Sequence, residues 1–573
     1  MKDKTFCKIL LVSIGLAVVA SGVAVGASTL DNASNGSDLN VVKIEATDDW
    51  LDLYHPPTAS FICIQWRPLI ITFDASSSSD PDGIVERYKW DFGDGNSAIG
   101  MVVNHTYSSA GKYNVTLTVT DNNFLTDTKA YNITVLHYLP VHNIDTGESF
   151  STIQLAVDDP DTKDGHTIIA DPGAYEENIK VNKRLRIQSE SGADLTIVQA
   201  ANPDDHVFDV TVDYVNISGF GVEGSYDNAG IHLYYVDYCN ISNNICSNNA
   251  FGISIDHSNH SSIINNNCTS NGAGIALFES SNNSISNNFC SSNTRYFGIG
   301  LLCSSNNSIL KNICYSNEQV NGIYLGYSRN NIISNNSCSS NSAGIYLGNS
   351  TNNSISNNTC SNNSVGISLQ DSNSNKLRGN ILVENEIAIG GKSVRDFTHE
   401  MDMSNTVNEK PVYYWKDVDG GRVPDGAGQV ILVNCKNVIV ENQDLNNASV
   451  GIAVAFSSYN TIKNNNCSNN KYYGIYLLDS NSNHIFLNNF INNTDNFRSY
   501  KSANTWNSTE KITYTYNGNT YTNYLGNYWD DYKEKYPDAE EIGRIWDTPY
   551  SIDSEEDECD DYPLMKPFEN YIT

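Results

Sequence analysis

Positive charge is scarce in this chain of 573 residues, where 34 Lys and Arg face 66 Asp and Glu and leave a net charge of −32. A surface of that sign repels phosphate backbones and anionic lipid headgroups, which argues against nucleic acid and membrane surfaces as partners. The thirteen cysteines include no Cys-x-x-Cys pair, and their odd total also speaks against a zinc site. Methionine is nearly missing, with five residues in all. Apolar runs approaching the length of a bilayer span occur only within the first 27 residues. Room for helices is lacking as well, because short apolar steps are separated by Ser, Asn and Gly runs that favour turns.

What the chain does have is a phrase that returns every twenty-two to twenty-four residues. A Gly-Ile-x-aliphatic step begins at Gly230, Gly252, Gly274, Gly298, Gly322, Gly344 and Gly366, then again at Gly451 and Gly474. Within each unit an Ile recurs (Ile241, Ile263, Ile285, Ile309), followed three residues later by Asn (Asn244, Asn266, Asn288, Asn312) and two beyond that by Cys. Such self-similarity marks a solenoid whose units bury their apolar faces only by stacking. The apolar steps have the two-residue period of strands, so the expected fold is all-β, a right-handed parallel β-helix with about three short strands per coil. Between residues 141 and 491 that makes roughly fourteen coils and, at ~4.8 Å per coil, a rod on the order of 65 Å long.

Stacking puts like residues in columns. The recurring Asn is expected to form a ladder of side-chain amides and also to supply the left-handed conformation that corners need. Cys246, Cys268, Cys290, Cys314, Cys338 and Cys360 share one repeat position, which accepts Leu382 in the next unit. A position that takes Leu is a core position, and parallel Cβ vectors would strain any bridge between neighbours, so reduced, buried thiols are expected. The sequons at Asn216, Asn240, Asn335 and Asn507 suit an exported glycoprotein, although corners want Asn and Ser for their own reasons.

Three lysines and an uncharged stretch ending in Val25-Gly26-Ala27 read as a secretory signal over residues 1–27, with an uncleaved anchor as the alternative. No further membrane span is expected after cleavage. A polar linker follows over 28–56, then a first folded unit at 57–137, the β-helix at 140–495 with an interruption at about 391–429, and an aromatic-rich cap at 496–573. Residues 150–157 space Phe150, Ile153, Ala156 and Val157 on one helical face, a cover for the open edge of the first coil.

In the first unit, Phe73-Asp74-Ala75-Ser76-Ser77-Ser78-Ser79-Asp80-Pro81-Asp82-Gly83, Trp90-Asp91-Phe92-Gly93-Asp94-Gly95 and His105-Thr106-Tyr107 strongly resemble a PKD domain. The resemblance implies an immunoglobulin-like β-sandwich acting as a spacer or adhesion module of surface proteins. Asp80, Asp82, Asp91 and Asp94 offer oxygen ligands for calcium, or simply cap turns. Further on, Asp171-Pro172-Gly173-Ala174-Tyr175 is similar to the first coil of pectin-lyase-like β-helices. Asn408-Glu409-Lys410-Pro411-Val412-Tyr413-Tyr414, Gly526-Asn527-Tyr528-Trp529-Asp530-Asp531-Tyr532 and Asp547-Thr548-Pro549-Tyr550 resemble NosD-type β-helix surface proteins, a group common in methanogenic archaea.

Three sets of residues are candidate sites. β-Helix enzymes acting on polysaccharides place carboxylates and basic groups on the outer faces of adjacent coils, and His232, Asp237, Asp256, His257, His260 and Glu279 form the densest such set here. His399, Met401 and Met403 would share one face of a strand and offer an imidazole and two thioethers to copper(I). Trp506, Tyr524, Tyr528 and Trp529 are either a platform for stacking sugar rings or a plug for the C-terminal end of the rod. The leading functional reading is an exported envelope protein that binds surface glycans or surface-layer proteins. A polysaccharide lyase or glycoside hydrolase is the first alternative, and copper binding the second.

Overall fold

The computed structural model describes residues 55–136, 138–553 and 558–572. The expected signal sequence and nearly all of the linker lie outside the described residues. Among the described residues no helix is long and apolar enough to cross a membrane.

The first unit is a sandwich of two antiparallel sheets. One holds Ile62–Arg67, Ile70–Asp74 and Val102–Thr106, the other Ser97–Ile99, Val85–Asp91, Gly111–Asp121 and Thr126–Val135. Period-two alternation sends Val115, Leu117 and Val119 inward against Phe73, Phe92 and the fully buried Trp90. The Trp90 indole donates to the Gly100 carbonyl at 2.8 Å, so its one polar atom is satisfied inside the core.

A β-solenoid of about 15 turns follows. Its entrance is covered by the helix Ile153–Asp158, which buries Ile153, Ala156 and Val157 as its spacing predicts. Phe150 belongs instead to the strand Glu148–Phe150. The Thr152 hydroxyl accepts from the Leu155 N–H, and the Glu177 carboxylate accepts from the N–H groups of Ile153 and Gln154, which satisfies the exposed donors of the first turn.

Three parallel faces run up the first stack. Ile217, Ile241, Ile263, Ile285, Ile309, Ile333 and Ile355 lie in register on the first face, and Cys246 to Cys360 on the second. The third is a ten-stranded sheet in which Ile231, Ile253, Ile275, Ile299, Ile323, Ile345 and Ile367 align. Every one of these Ile and Cys side chains is buried, each Ile contributing about 1.5–3 kcal/mol of apolar burial. The six stacked thiols are free, as expected. The Gly of the repeating phrase is required by contact: a Cβ on Gly274 would stand 2.4 Å from the carbonyl oxygen of Gly298 in the next coil.

The corners correct one expectation. The laddered Asn is not the left-handed residue; the residue before it is. Asn243, Asn265, Asn287, Lys311, Asn335 and Asn357 have φ between 54° and 58°, project outward, and tolerate Lys. The next residue turns inward and is Asn in each of these coils. Asn312 donates to Asn336 Oδ1 from both its backbone N–H (2.9 Å) and its amide (3.1 Å), and the Asn336 amide donates to the Ile309 carbonyl at 2.9 Å. The same division recurs along a second Asn column through Asn317 and Asn341, a third through Asn307 and Asn331, and a Ser column through Ser304 and Ser328.

The expected interruption is itself partly in register. Glu400–Met401 and Thr406–Val407 continue the first and second faces, with Met401 beside Leu377 and Val407 beside Leu382. A tight antiparallel pairing of Thr406–Val407 with Lys410–Lys416 then turns the chain and starts a second parallel stack through Gln429–Val433, Val450–Ala455, Tyr473–Leu478 and Asp495–Tyr500. This stack has its own core, including Val430, Leu432, Ile452, Ile462, Ile475 and Phe490. Its outward Ile431, Val433, Ala455 and Leu478 join the core of the first stack. The hairpin at the C-terminal end pairs Ile512–Tyr516 with Asn519–Asn523 across the left-handed Asn517 and Gly518, the turn its Asn-Gly pair predicts.

Candidate functional site

The third face carries the most distinctive outer surface. Strands Phe208–Val210, Ala229–Tyr234, Phe251–Asp256 and Ala273–Phe278 pair in parallel there. Because Ile231 and Leu233 point inward, His232 and Tyr234 point outward. Register then sets Asp209, His232, Ser254, Ala276 and Gly300 side by side. The small residues in that row leave a groove of about 390 Å³, walled by His206, His232, Phe251, Asp256 and Phe278. Beyond it, Phe297, Tyr324 and Tyr346 stack ring on ring at 5.8 and 5.5 Å.

The corner columns beside this groove change character in the same coils. One corner places Tyr235, His257 and Glu279, all left-handed, in a column that later coils continue with Cys303, Tyr327, Asn349 and Asp371. The Tyr235 ring stacks on His257 at 4.5 Å, and His257 lies between two carboxylates, with Nδ1 2.7 Å from Asp256 and Nε2 3.2 Å from Glu279. The next corner stacks Tyr214, Tyr238 and His260 at 5.0 Å intervals. Tyr235 and Tyr238 are 61% and 49% exposed, and because their faces are engaged in these stacks it is the outer ring edges that are open to a ligand.

Of the residues singled out from sequence, the structure brings Asp256, His257 and Glu279 into contact. His232 stands one strand away with partners that sequence reading missed. Its Nδ1 is 3.0 Å from Asp209, and its ring stacks on His206 at 4.0 Å. The His232 hydrogen bond holds the Asp209 carboxyl below its usual range, while burial and the neighbouring His232 lower the proton affinity of His206. Only the register of parallel strands shows these neighbours, because the coil carrying His206 and Asp209 precedes the repeating phrase. Asp237 is a structural link that accepts both the backbone and side-chain N–H groups of Asn259 from the next coil.

His206, Asp209 and His232 bring ligand atoms within 4.8 Å of one another. The donor set does not suit a metal ion, however. His206 Nδ1 accepts the Ala229 N–H at 3.1 Å, which leaves the proton of the neutral ring on Nε2, and stacked rings aim their nitrogens side by side.

The other candidate sets are dispersed. Met401 takes the inward place next to Leu377, and the chain then turns, leaving Met403 64% exposed. His399 is buried, with Nε2 on the Asp396 carbonyl, and burial drives its pKa down to about 4. Met401 and Met403 line one small pocket that His399 does not share, so the three donors expected for copper(I) are not gathered around one point. The four Asp residues proposed for calcium divide as well. Asp94 pairs with His105 at 2.7 Å and Asp91 accepts the Gly93 N–H, both turn-holding roles. Asp80 has no donor on either carboxylate oxygen, and burial together with Asp82 and Asp121 raises its pKa. Asp121 is thus the neighbour that sequence reading omitted.

At the C-terminal end, Trp506 and Trp529 are 0% and 1% exposed. They cannot stack on a sugar. Trp529 stacks on Tyr550 at 4.3 Å and donates to Asp560, while Trp506 donates to Glu558, so the two indoles plug the second stack. Tyr524 and Tyr528 are half-buried in the same cap.

Three family models match the chain. "PKD domain" covers residues 66–135, "Right handed beta helix region" 200–320, and "Periplasmic copper-binding protein (NosD)" 280–407 and 417–534. A cell surface glycoprotein of Methanothermus fervidus is 39% identical over 108 residues, 19% of this chain and 17% of that protein. Collagenase ColA of Clostridium perfringens is 42% identical over 78 residues, 14% of this chain and 7% of that protein. The chain thus spans less than a fifth of the length of either relative. Among solved structures, the PKD1 domain of Vibrio anguillarum Epp is 33% identical, with 15% of this chain and 99% of that one covered and a TM-score of 0.14. The catalytic domain of a GH87 α-1,3-glucanase matches at 13% identity, with 79% of this chain and 91% of that one covered and a TM-score of 0.33.

Proposed function

We propose that this chain, a PKD domain joined to a right-handed parallel β-helix of the NosD type, works in the cell envelope by binding glycan along the third face of its first stack. The observation that carries this reading is the gathering of Tyr, His and carboxylate side chains on two adjoining outer corners of neighbouring coils, one of which later coils fill with Asn and Ser. Tyr214, Tyr235 and Tyr238 stay largely exposed at the edges of their stacks and form an apolar ledge against which a sugar can pack. Asp256 and Glu279, both held on His257, supply acceptors for sugar hydroxyls. No Lys or Arg lines the groove, and the chain carries −32, so neutral or amino-bearing sugars suit it better than acidic polysaccharides. The match to a cell surface glycoprotein supports the envelope location.

Binding is tested by affinity electrophoresis and calorimetry against neutral and acidic polysaccharides. The joint variant Tyr235→Ala/Tyr238→Ala is expected to weaken binding at least ~10-fold, on the order of 1–2 kcal/mol for each lost stack. Absence of binding, or binding that survives this variant, sinks the proposal. New reducing ends or unsaturated products in the same incubations would promote the enzyme reading instead.

A further inference from the structure

Where the two stacks meet, one position breaks the glycine rule. Coil after coil places Gly there, from Gly230 to Gly366, because the next coil's carbonyl leaves no room for a Cβ. In the last coil of the first stack that position is Glu386: Ile367 pairs with Ile387, and the Ile367 N–H donates to the Glu386 carbonyl. On this face no further strand of the same stack follows. The side chain meets the second stack, which is fastened here by Ser449 Oγ on the Ser364 carbonyl and Lys471 Nζ on the Asn363 carbonyl, both at 3.2 Å.

Between the stacks lies a cavity of about 230 Å³. Its walls are mainly apolar, with Ile389, Phe397, Ile431 and Ala453 joined by the rings of Tyr473 and Tyr476. Glu386 is the one carboxyl lining it, is 1% exposed, and has no hydrogen-bond donor on Oε2. Burial pushes its pKa up to about 7, against the opposing influence of Ser449 and Lys471. Neither Lys471 nor Arg498, which donates to the Tyr473 hydroxyl, lines the cavity. A buried carboxylate oxygen without a donor is costly, and the cavity that Glu386 lines also holds the rings of Tyr473 and Tyr476, which can attract a cation.

We propose that this cavity binds a small organic ammonium, with its apolar body between the two stacks and its N–H groups on Glu386. The volume fits such a ligand: roughly 150 Å³ of apolar cavity holds benzene, so the space here admits a ring with an aminomethyl group. The site lies outside the glycan-binding face, and its test is independent of that reading.

Calorimetry on the full chain at pH 8 would compare benzylamine with benzyl alcohol, two probes of like shape that differ in charge. Benzylamine is expected to bind at least ~10-fold more tightly, equivalent to about 1.4 kcal/mol. Glu386→Gln is expected to erase that preference while leaving benzyl alcohol unchanged, and Ala453→Phe to abolish binding of both by filling the space. Equal affinity of the wild-type protein for the two probes, no binding of either, or a preference that persists in Glu386→Gln would overturn the proposal.

Discussion

Asn335 and Asn336 are adjacent, chemically identical and expected to differ sharply in what they contribute. Replacing Asn336 by Ala removes the acceptor for both the N–H and the amide of Asn312, the donor to the Ile309 carbonyl, and an amide donor to Asn358. All of these groups are buried, so water cannot take over. Leaving two or three buried polar groups unpaired at about 1–3 kcal/mol each predicts a loss of about 3–6 kcal/mol, concentrated in the coils on either side. Asn335 has φ 58° and points outward, so Asn335→Gly should cost only a few tenths of a kcal/mol. Long repeat arrays do not unfold in one step, which makes a single global stability the wrong readout. Amide exchange in peptides spanning residues 309–341 reports local opening directly. A loss below about 1 kcal/mol for Asn336→Ala, or equal losses at the two sites, would refute the ladder as a source of stability.

Three further outcomes follow from the same architecture. Cys314→Val should be nearly neutral and Cys314→Asp strongly destabilising, and none of the six stacked thiols should react with Ellman's reagent until the rod is unfolded, since each is fully buried. Trp529→Ala should lower the stability of the second stack by about 3–5 kcal/mol in urea titrations while leaving glycan affinity unchanged. Burial raises the Asp560 carboxyl to about 7 despite its bonds from Asn527 and Trp529. Against an unfolded value of about 3.9, the protonated form is then favoured in the folded state. Its contribution is present below about pH 4 and is lost as pH rises to about 7, a decline that Asp560→Asn should flatten in thermal melts across that window.

Much of the architecture could be read in advance because a solenoid writes its contacts into its period. One coil's sequence predicts the next coil's neighbours, which is why the Ile and Cys columns and the covering helix at Ile153–Asp158 were legible. The division of labour within the Asn-Asn pairs was not legible, since both residues suit a corner and only backbone geometry tells the left-handed one from the inward one. The junction between stacks escaped for a different reason. Thr406–Val407 keeps the register of the first stack for two residues, too few for a pattern, before the chain reverses. The candidate site was half visible: Asp256, His257 and Glu279 lie within regular coils, whereas His206 and Asp209 precede the repeating phrase. Trp506 and Trp529 showed their chemistry in sequence but not their exposure, and burial decides between plug and platform.

Because Asn312 bonds only to the turns immediately before and after it, nothing in the bonding scheme counts how many turns there are. A duplicated stretch of DNA encoding one turn would splice in with its donors and acceptors already matched, and the rod would grow by ~4.8 Å without disturbing either end. Reach becomes a quantity that genetic slippage can adjust in fixed increments, and copies inserted downstream of Glu279 would leave the aromatic patch intact at its original height.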